Sequence, residues 1–240
     1  MENRKMRCSA VVLAAGAGKR MKSDTKKQFL ELMEKPIIYY SLHAFQNSFI
    51  DEIALVVSEE DIDYCKKEIV EKYKFTKVKH ITAGGKERYH SVAAGIESLG
   101  ACDYVFIHDG ARPMLTEEIL TRAYESVKEC DACVVGMPVK DTIKIADKDG
   151  YISQTPDRSL VWSIQTPQVF SYELIKQAYH ELLVKESELK EKGINITDDA
   201  MVVETLLQKP VKLVEGSYEN IKITTPEDLK IAHSFLENLK

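Results

Sequence analysis

The chain has 240 residues, 44% of them hydrophobic, enough to bury the core of one large or two small domains. A formal net charge of -5 excludes a general polyanion-binding surface, so neither nucleic acid nor an anionic membrane is an expected partner and any basic cluster has to act locally. No apolar run has the length of a membrane span, the first ten residues lack a secretory pattern and five scattered cysteines suit reduced thiols, which together predict a cytoplasmic protein.

Strand-length apolar runs alternate with amphipathic segments, the pattern of an α/β fold with a mainly parallel sheet covered by helices on both faces. Strands are predicted over Cys8–Leu13, Glu52–Val57 and Lys77–Thr82, and helices near Pro36–Gln46, Glu59–Lys72 and Glu87–Leu99. DYVFIHDGARP predicts a buried strand over Tyr104–Ile107 ending in a polar turn. Ligands of open α/β sheets bind at the carboxyl ends of strands, so Asp109 and Arg112 become site candidates. A helix from Thr116 and the core strand ACVVGMPV follow. DTIKIADKDGYISQTPD then breaks the alternation with two short polar strands around Asp149-Gly150, a hairpin too thin to be stable alone. Beyond LVWSIQTPQVF come a predicted helix near Tyr172–Leu183, a charged linker over Lys185–Lys192, a helix from Asp198, a strand at Val211–Glu215 and a last helix opened by Thr225-Pro226. With no repeat or clean boundary, the simplest organisation is one domain over residues 1–240 carrying an inserted arm at about 141–157.

The stretch LAAGAGKRMKSDTKKQFL, Leu13 to Leu30, follows the first strand and packs small residues against cations. Gly16 and Gly18 let backbone N–H groups close on an anion. A dinucleotide-binding loop does not fit, because Met21 stands where the third glycine is needed and Val57 and Ser58 where an acid would end the second strand. A Walker A loop does not fit either, because Lys19 is followed by Arg20. Small residues with Lys19, Arg20, Lys26 and Lys27 remain, which suit a triphosphate cradle and equally a solvated basic loop; the stretch by itself leaves both open. Cys130 and Cys133 have CxxC spacing, but no second pair completes a zinc site and the segment runs directly into a strand, so they read as core thiols.

LAAGAGKRM, KKQFLEL and KPIIYYSL resemble the opening of sugar-phosphate nucleotidyltransferases. Together with GGKERYHSVAAGI, HDGARP, LVWSIQTPQVF and ENIKITTPEDL, in this order between Ser9 and Leu229, they make the chain resemble the 2-C-methyl-D-erythritol 4-phosphate cytidylyltransferase family of non-mevalonate isoprenoid synthesis. The ribitol 5-phosphate cytidylyltransferases share several of these elements but usually read Leu-Ala-Gly-Gly and Asp-Ala-Val-Arg-Pro where this chain has Leu13-Ala14-Ala15-Gly16 and Asp109-Gly110-Ala111-Arg112-Pro113. Gly110 and Asp199 depart from the alanine and glutamate more usual in the erythritol family.

The resemblance implies a Rossmann-like fold and attack of a polyol phosphate oxygen on the α-phosphorus of CTP, with pyrophosphate as leaving group. Two anions must be brought together, so positioning and cationic stabilisation carry the reaction. The resemblance places Arg20 and Lys27 at the transition state, and Ala14, Ala15, Gly16, Gly85, Lys86 and Ser91 around the cytidine, with Gly18 and Lys19 in the phosphate loop. It places Asp109, Arg112, Thr142, Arg158, Thr166, Thr197 and Lys222 around the acceptor, with Arg158 and Lys222 clamping its phosphate; Thr166 and Thr197 suit caps or turns equally well. Mg2+ is expected on the CTP phosphates with few protein ligands, and no metal-binding residue is assigned. The thin arm needs another surface to pack against, and the resemblance implies that this surface is a second subunit, in a homodimer where Thr142 and Arg158 reach the acceptor phosphate of the neighbouring subunit's site. A nucleotide-binding module without turnover would have no use for Arg158 and Lys222.

Overall fold

The apolar runs become the middle of a sheet whose order places the loops after three strands side by side. The computed structural model describes residues 5–16, 18, 21 and 25–237. Among them the chain forms β1 (Cys8–Leu13), the short pair β2 (Glu31–Leu32) and β3 (Lys35–Pro36), α1 (Ile37–Gln46), β4 (Glu52–Val57), α2 (Ile62–Tyr64) continuing as a π-helical turn over Cys65–Glu71, β5 (Val78–Ala83), α3 (Arg88–Ser98) and β6 (Tyr104–Asp109). The second half adds α4 (Glu117–Cys130), β7 (Ala132–Pro138), the hairpin β8 (Ile145–Ala146) and β9 (Ile152–Gln154), β10 (Trp162–Ser171), α5 (Tyr172–Glu191), α6 (Asp199–Leu207), β11 (Lys212–Glu215) and α7 (Pro226–Glu237).

The main sheet has the order β11-β7-β10-β6-β1-β4-β5. Only β10 runs against its neighbours, β6 and β7; the other pairs are parallel, as the alternation predicted. Every residue of β4 and β6 is buried, because helices cover both faces of the sheet. One face packs Leu42, Phe45, Ile53, Leu55 and Phe106 with α1 and α4; the other packs Val11, Val56, Val92, Ile96, Ile107 and Ile175 with α3, α5 and α6. No helix among the described residues is long and apolar enough to cross a membrane.

One predicted boundary is corrected. The expected linker over Lys185–Lys192 is the last part of α5, which runs unbroken to Glu191. Its charges are spaced as helix neighbours, with Lys185 on Glu181, Lys190 on Glu186 and Lys192 on Glu188, so the charge run supports the helix rather than ending it. The helix expected over Glu59–Lys72 forms, opening as a 3-10 turn over Glu59–Asp61 and passing through α2 into the π-helical turn that ends at Glu71. The arm is a two-stranded hairpin apart from the main sheet. Gly150 takes φ +88°, and Asp147 Oδ1 accepts the amides of Asp149 and Tyr151, closing the turn without any core contact.

Candidate active site

Leu13 is paired with Val56 on one side and with Asp109 on the other, which brings the carboxyl ends of β1, β4 and β6 to one edge. Over that edge lies a cavity of about 390 Å³, within the usual range for small-molecule sites. Three segments wall it: the loop after β1 with Lys27 and Gln28, the turn into α3 from Gly85 to Ser91, and the end of β6 with Lys222 above it.

The loop is fixed from behind. Ala14 N–H donates to Val56 O at 2.7 Å, the buried Gln28 amide donates to Ala14 O at 2.6 Å, and Ser58 Oγ donates to Ala15 O at 3.2 Å. Gly18 has φ +62°, and a Cβ there would meet Lys27 Cβ and Cγ at 3.1 Å, so the position requires glycine for conformation and space together. The adjacent lysines diverge. Lys26 Nζ lies 2.6 Å from both Glu60 Oε1 and Asp61 Oδ2, which removes it from the expected phosphate cradle, whereas Lys27 lines the cavity and donates to Ile223 O at 3.2 Å. Lys19 and Arg20 lie outside the described residues.

The second wall depends on how α3 begins. Glu87 and His90 form a reciprocal cap on its first turn, with His90 Nδ1 accepting the Glu87 amide at 3.2 Å. A Cβ on Gly84 would come within 2.6 Å of both Ala15 Cβ and Ser91 Oγ, so the turn packs directly on the first loop. Gly85 N–H donates to Ser91 Oγ at 3.1 Å, which sets the serine at the cavity wall.

Asp109 is the electrostatic centre. Its Oδ2 lies 2.7 Å from Lys222 Nζ and 3.9 Å from Arg112 Nε, and its Oδ1 lies 3.7 Å from Arg88 Nε. Burial by itself would raise its pKa; Arg88, Lys222 and Arg112 overcome that and hold the carboxyl well below the usual carboxylate range. Lys222 is carried by a strap pinned at both ends. Arg112 Nη1 donates to Asn220 O at 2.8 Å, Ile223 N–H to Ala111 O at 2.9 Å, and Asp228 Oδ2 gathers the amides of Thr224 and Thr225 at the start of α7. Arg112 Nε is buried and has no hydrogen-bond partner among the described residues.

Beneath Asp109, its amide donates to Thr166 Oγ1 at 3.1 Å, and that hydroxyl lies 3.0 Å from His108 Nδ1. Burial pushes the His108 pKa down to about 4, so at neutral pH the ring is uncharged: Nδ1 accepts the Thr166 hydroxyl and Nε2–H faces Arg112 O at 3.3 Å.

Of the residues singled out from sequence, Ala14, Ala15, Gly16, Lys27, Gly85, Lys86, Ser91, Asp109 and Lys222 line the one cavity. Arg112 and Thr166 are buried, Arg112 holding the strap and Thr166 the end of β6. Thr142, Arg158 and Thr197 are exposed and do not line it; Arg158 Nη1 donates to Lys140 O at 2.9 Å at the base of the arm, and Thr197 Oγ1 lies 3.6 Å from Met201 Sδ. Gln28 and Arg88 are wall residues that the sequence reading missed. Arg88 had one legible signal: a cation at the first position of a helix opposes the helix dipole and needs an acid to hold it. Cys130 Sγ lies 3.1 Å from both Ser126 O and Ala132 O, either of which can accept its one hydrogen, and Cys133 is buried, both away from the cavity. No group of three metal-ligating side chains occurs among the described residues.

The family model of 2-C-methyl-D-erythritol 4-phosphate cytidylyltransferase matches residues 8–238. The 2-C-methyl-D-erythritol 4-phosphate cytidylyltransferase of Lachnospira eligens is 50% identical over 232 residues, covering 95% of this chain and 99% of that protein. The protein of the same name from Lachnoclostridium phytofermentans is 49% identical over 228 residues, covering 95% of each. The crystal structure of 4-diphosphocytidyl-2C-methyl-D-erythritol synthase from Anaerococcus prevotii superimposes with TM-score 0.83 at 34% identity, covering 97% of this chain and 96% of that one. A match of this extent, over a fold whose strand ends build such a pocket, means that the chain belongs to the 2-C-methyl-D-erythritol 4-phosphate cytidylyltransferase family.

Proposed function

We infer that the chain joins CTP to 2-C-methyl-D-erythritol 4-phosphate, giving 4-diphosphocytidyl-2-C-methyl-D-erythritol and pyrophosphate. The observation that carries the chemistry is the meeting of Lys27, Lys222 and Asp109 in one cavity with the small-residue loop Ala14–Gly16. The loop lets a nucleotide approach the backbone closely. Lys27 faces the triphosphate and stabilises charge that grows on the transferring phosphoryl group, while Arg20 supplies a planar fork from the same loop. Asp109 accepts hydrogen bonds from polyol hydroxyls and Lys222 holds the acceptor's phosphate, so that its oxygen attacks in line with the departing pyrophosphate. No side chain is needed as a covalent nucleophile.

Magnesium fits this site only as an ion carried on the CTP phosphates. Of the two carboxylates on the cavity wall, Glu87 caps the first turn of α3 and Asp109 is engaged by Lys222, and the described residues hold no cluster of ligands for a metal. When bound to the nucleotide, the ion would neutralise phosphate charge and keep most of its waters.

The chain works as a homodimer with shared sites. The arm and its base expose Ile145, Tyr151, Ile152 and Leu160, with Tyr151 75% and Leu160 80% accessible, more apolar surface than a solvated hairpin tolerates. Neither Thr142 nor Arg158 lines the cavity of its own chain, which supports their serving the partner's.

Pyrophosphate release from the purified protein with each nucleoside triphosphate, Mg2+, and either methylerythritol phosphate or ribitol 5-phosphate tests the reading. Turnover with CTP and methylerythritol phosphate is the expected result; none with any pair overturns it.

A further inference from the structure

The reaction as described makes no use of Arg88, although it lines the cavity. Its Nη1 and Nη2 each lie 2.7 Å from one carboxylate oxygen of Asp199, a two-pronged pair that fixes the plane of the guanidinium. Asp199 has no accessible surface, stands in the first turn of α6 and also accepts the hydroxyl of the buried Tyr179. With both terminal nitrogens so occupied, Arg88 Nε is left beside Asp109 Oδ1 at 3.7 Å, too far for a hydrogen bond and close enough for strong charge attraction in a partly buried site.

We propose that Arg88, clamped by Asp199, which the Tyr179 hydroxyl holds in turn, is a positioning residue that holds the Asp109 carboxylate in place for the hydroxyls of the bound acceptor. The proposal rests on the cytidylyltransferase reading. Asp109 is faced by Arg88 from α3, by Lys222 from the strap before α7 and by Arg112 from the turn after β6, while the neighbouring His108 turns its ring to Thr166 and the Arg112 carbonyl. Lys222 is the most exposed of these cations, at 36%, and is the one an incoming phosphate would engage. Arg112 already spends Nη1 on the strap. Arg88 is therefore the cation that stays with Asp109 when the substrate arrives, and burial would otherwise favour the protonated acid.

The test is steady-state pyrophosphate release by the full-length protein and its Arg88→Gln, Arg88→Lys and Asp199→Asn variants, from about pH 5 to about pH 9. Arg88→Gln and Asp199→Asn are expected to raise KM for methylerythritol phosphate by about 10-fold or more while changing KM for CTP far less, and to move the acidic limb of kcat/KM toward neutral pH. Arg88→Lys keeps the charge without the two-pronged clamp, so it should keep the limb near the wild-type position while still weakening the acceptor. A purely structural role would lower the folded fraction without moving the limb. Folded Arg88→Gln with wild-type acceptor KM and an unmoved limb overturns the proposal; if that variant does not fold, a wild-type acceptor KM in Arg88→Lys does so. A wild-type protein that releases no pyrophosphate overturns the functional reading instead.

Discussion

Lys222 Nζ sits 2.7 Å from Asp109 Oδ2, so the lysine expected to hold the acceptor phosphate is paired with the carboxylate expected to read its hydroxyls. Asp109→Ala removes the acceptor of those hydroxyl bonds and leaves Lys222, Arg88 and Arg112 without their common counter-charge. Methylerythritol phosphate should then bind about 10-fold more weakly or worse, because the hydroxyls lose a charged partner. CTP should lose little, since an uncompensated cation cluster favours a triphosphate. Titration calorimetry with each substrate reads the two affinities, and equal losses would mean that Asp109 serves the nucleotide as much as the acceptor.

Lys26 and Lys27 are adjacent in sequence and opposite in duty. Lys27→Ala should lower kcat by about 10²-fold or more, as expected for losing one preorganised donor to the transition state. Lys26→Ala should change kcat far less, because its ammonium is committed to Glu60 and Asp61 at 2.6 Å each. Parallel kinetics on the two variants decide the matter; a raised KM for CTP with unchanged kcat in Lys27→Ala would contradict its transition-state role.

The same pair shows where sequence reading stops. The largely apolar runs of β1 and β4 announced buried parallel strands, and both formed over the predicted residues. β6 reaches Asp109 rather than Ile107, because His108 and Asp109 keep the ladder to Val12 and Leu13 although their side chains are polar. The charge of Lys26 was legible but its partners were not, since Glu60 and Asp61 follow β4, and only the parallel pairing of β4 with β1 brings them beside the loop after β1. Thr166 reads as a hydroxyl available to substrate until the antiparallel β10 buries it against His108. Arg88, within GGKERYHSVAAGI, and Asp199, noted only as a single departure from the family, lie far apart in the sequence, and only the packing of α3 against α5 and α6 joins them.

His108 should give the fold an acid-sensitive step. Burial lowers its pKa from the ordinary 6.5 to about 4, so between those values the unfolded chain takes up a proton that the folded chain refuses. Stability is therefore complete above about pH 6.5 and falls as the pH drops toward 4, by on the order of 3 kcal/mol over the whole window for a ring with no accessible surface. Urea unfolding at about pH 7.5 and about pH 5 measures the difference, and His108→Gln, which cannot titrate, should flatten it. A variant with the full wild-type slope would assign the effect to other groups.

The arm offers the decisive test of shared sites. Arg158 is exposed at its base and absent from the cavity wall of its own chain, while Lys27 lines that wall. If the partner's arm completes each site, Lys27→Ala and Arg158→Ala homodimers are both inactive for different reasons. In a mixed dimer, one site combines both lesions and the other has neither, because the intact Lys27 of one chain meets the intact Arg158 of the other. Random exchange makes half of the dimers mixed with one working site in each, so activity should return to about a quarter of the wild-type value. Native mass spectrometry counts the mixed dimers while pyrophosphate release is followed. A mixture that exchanges fully and stays inactive would show that Arg158 acts within its own chain, and a protein that remains monomeric at assay concentration would remove the shared site altogether.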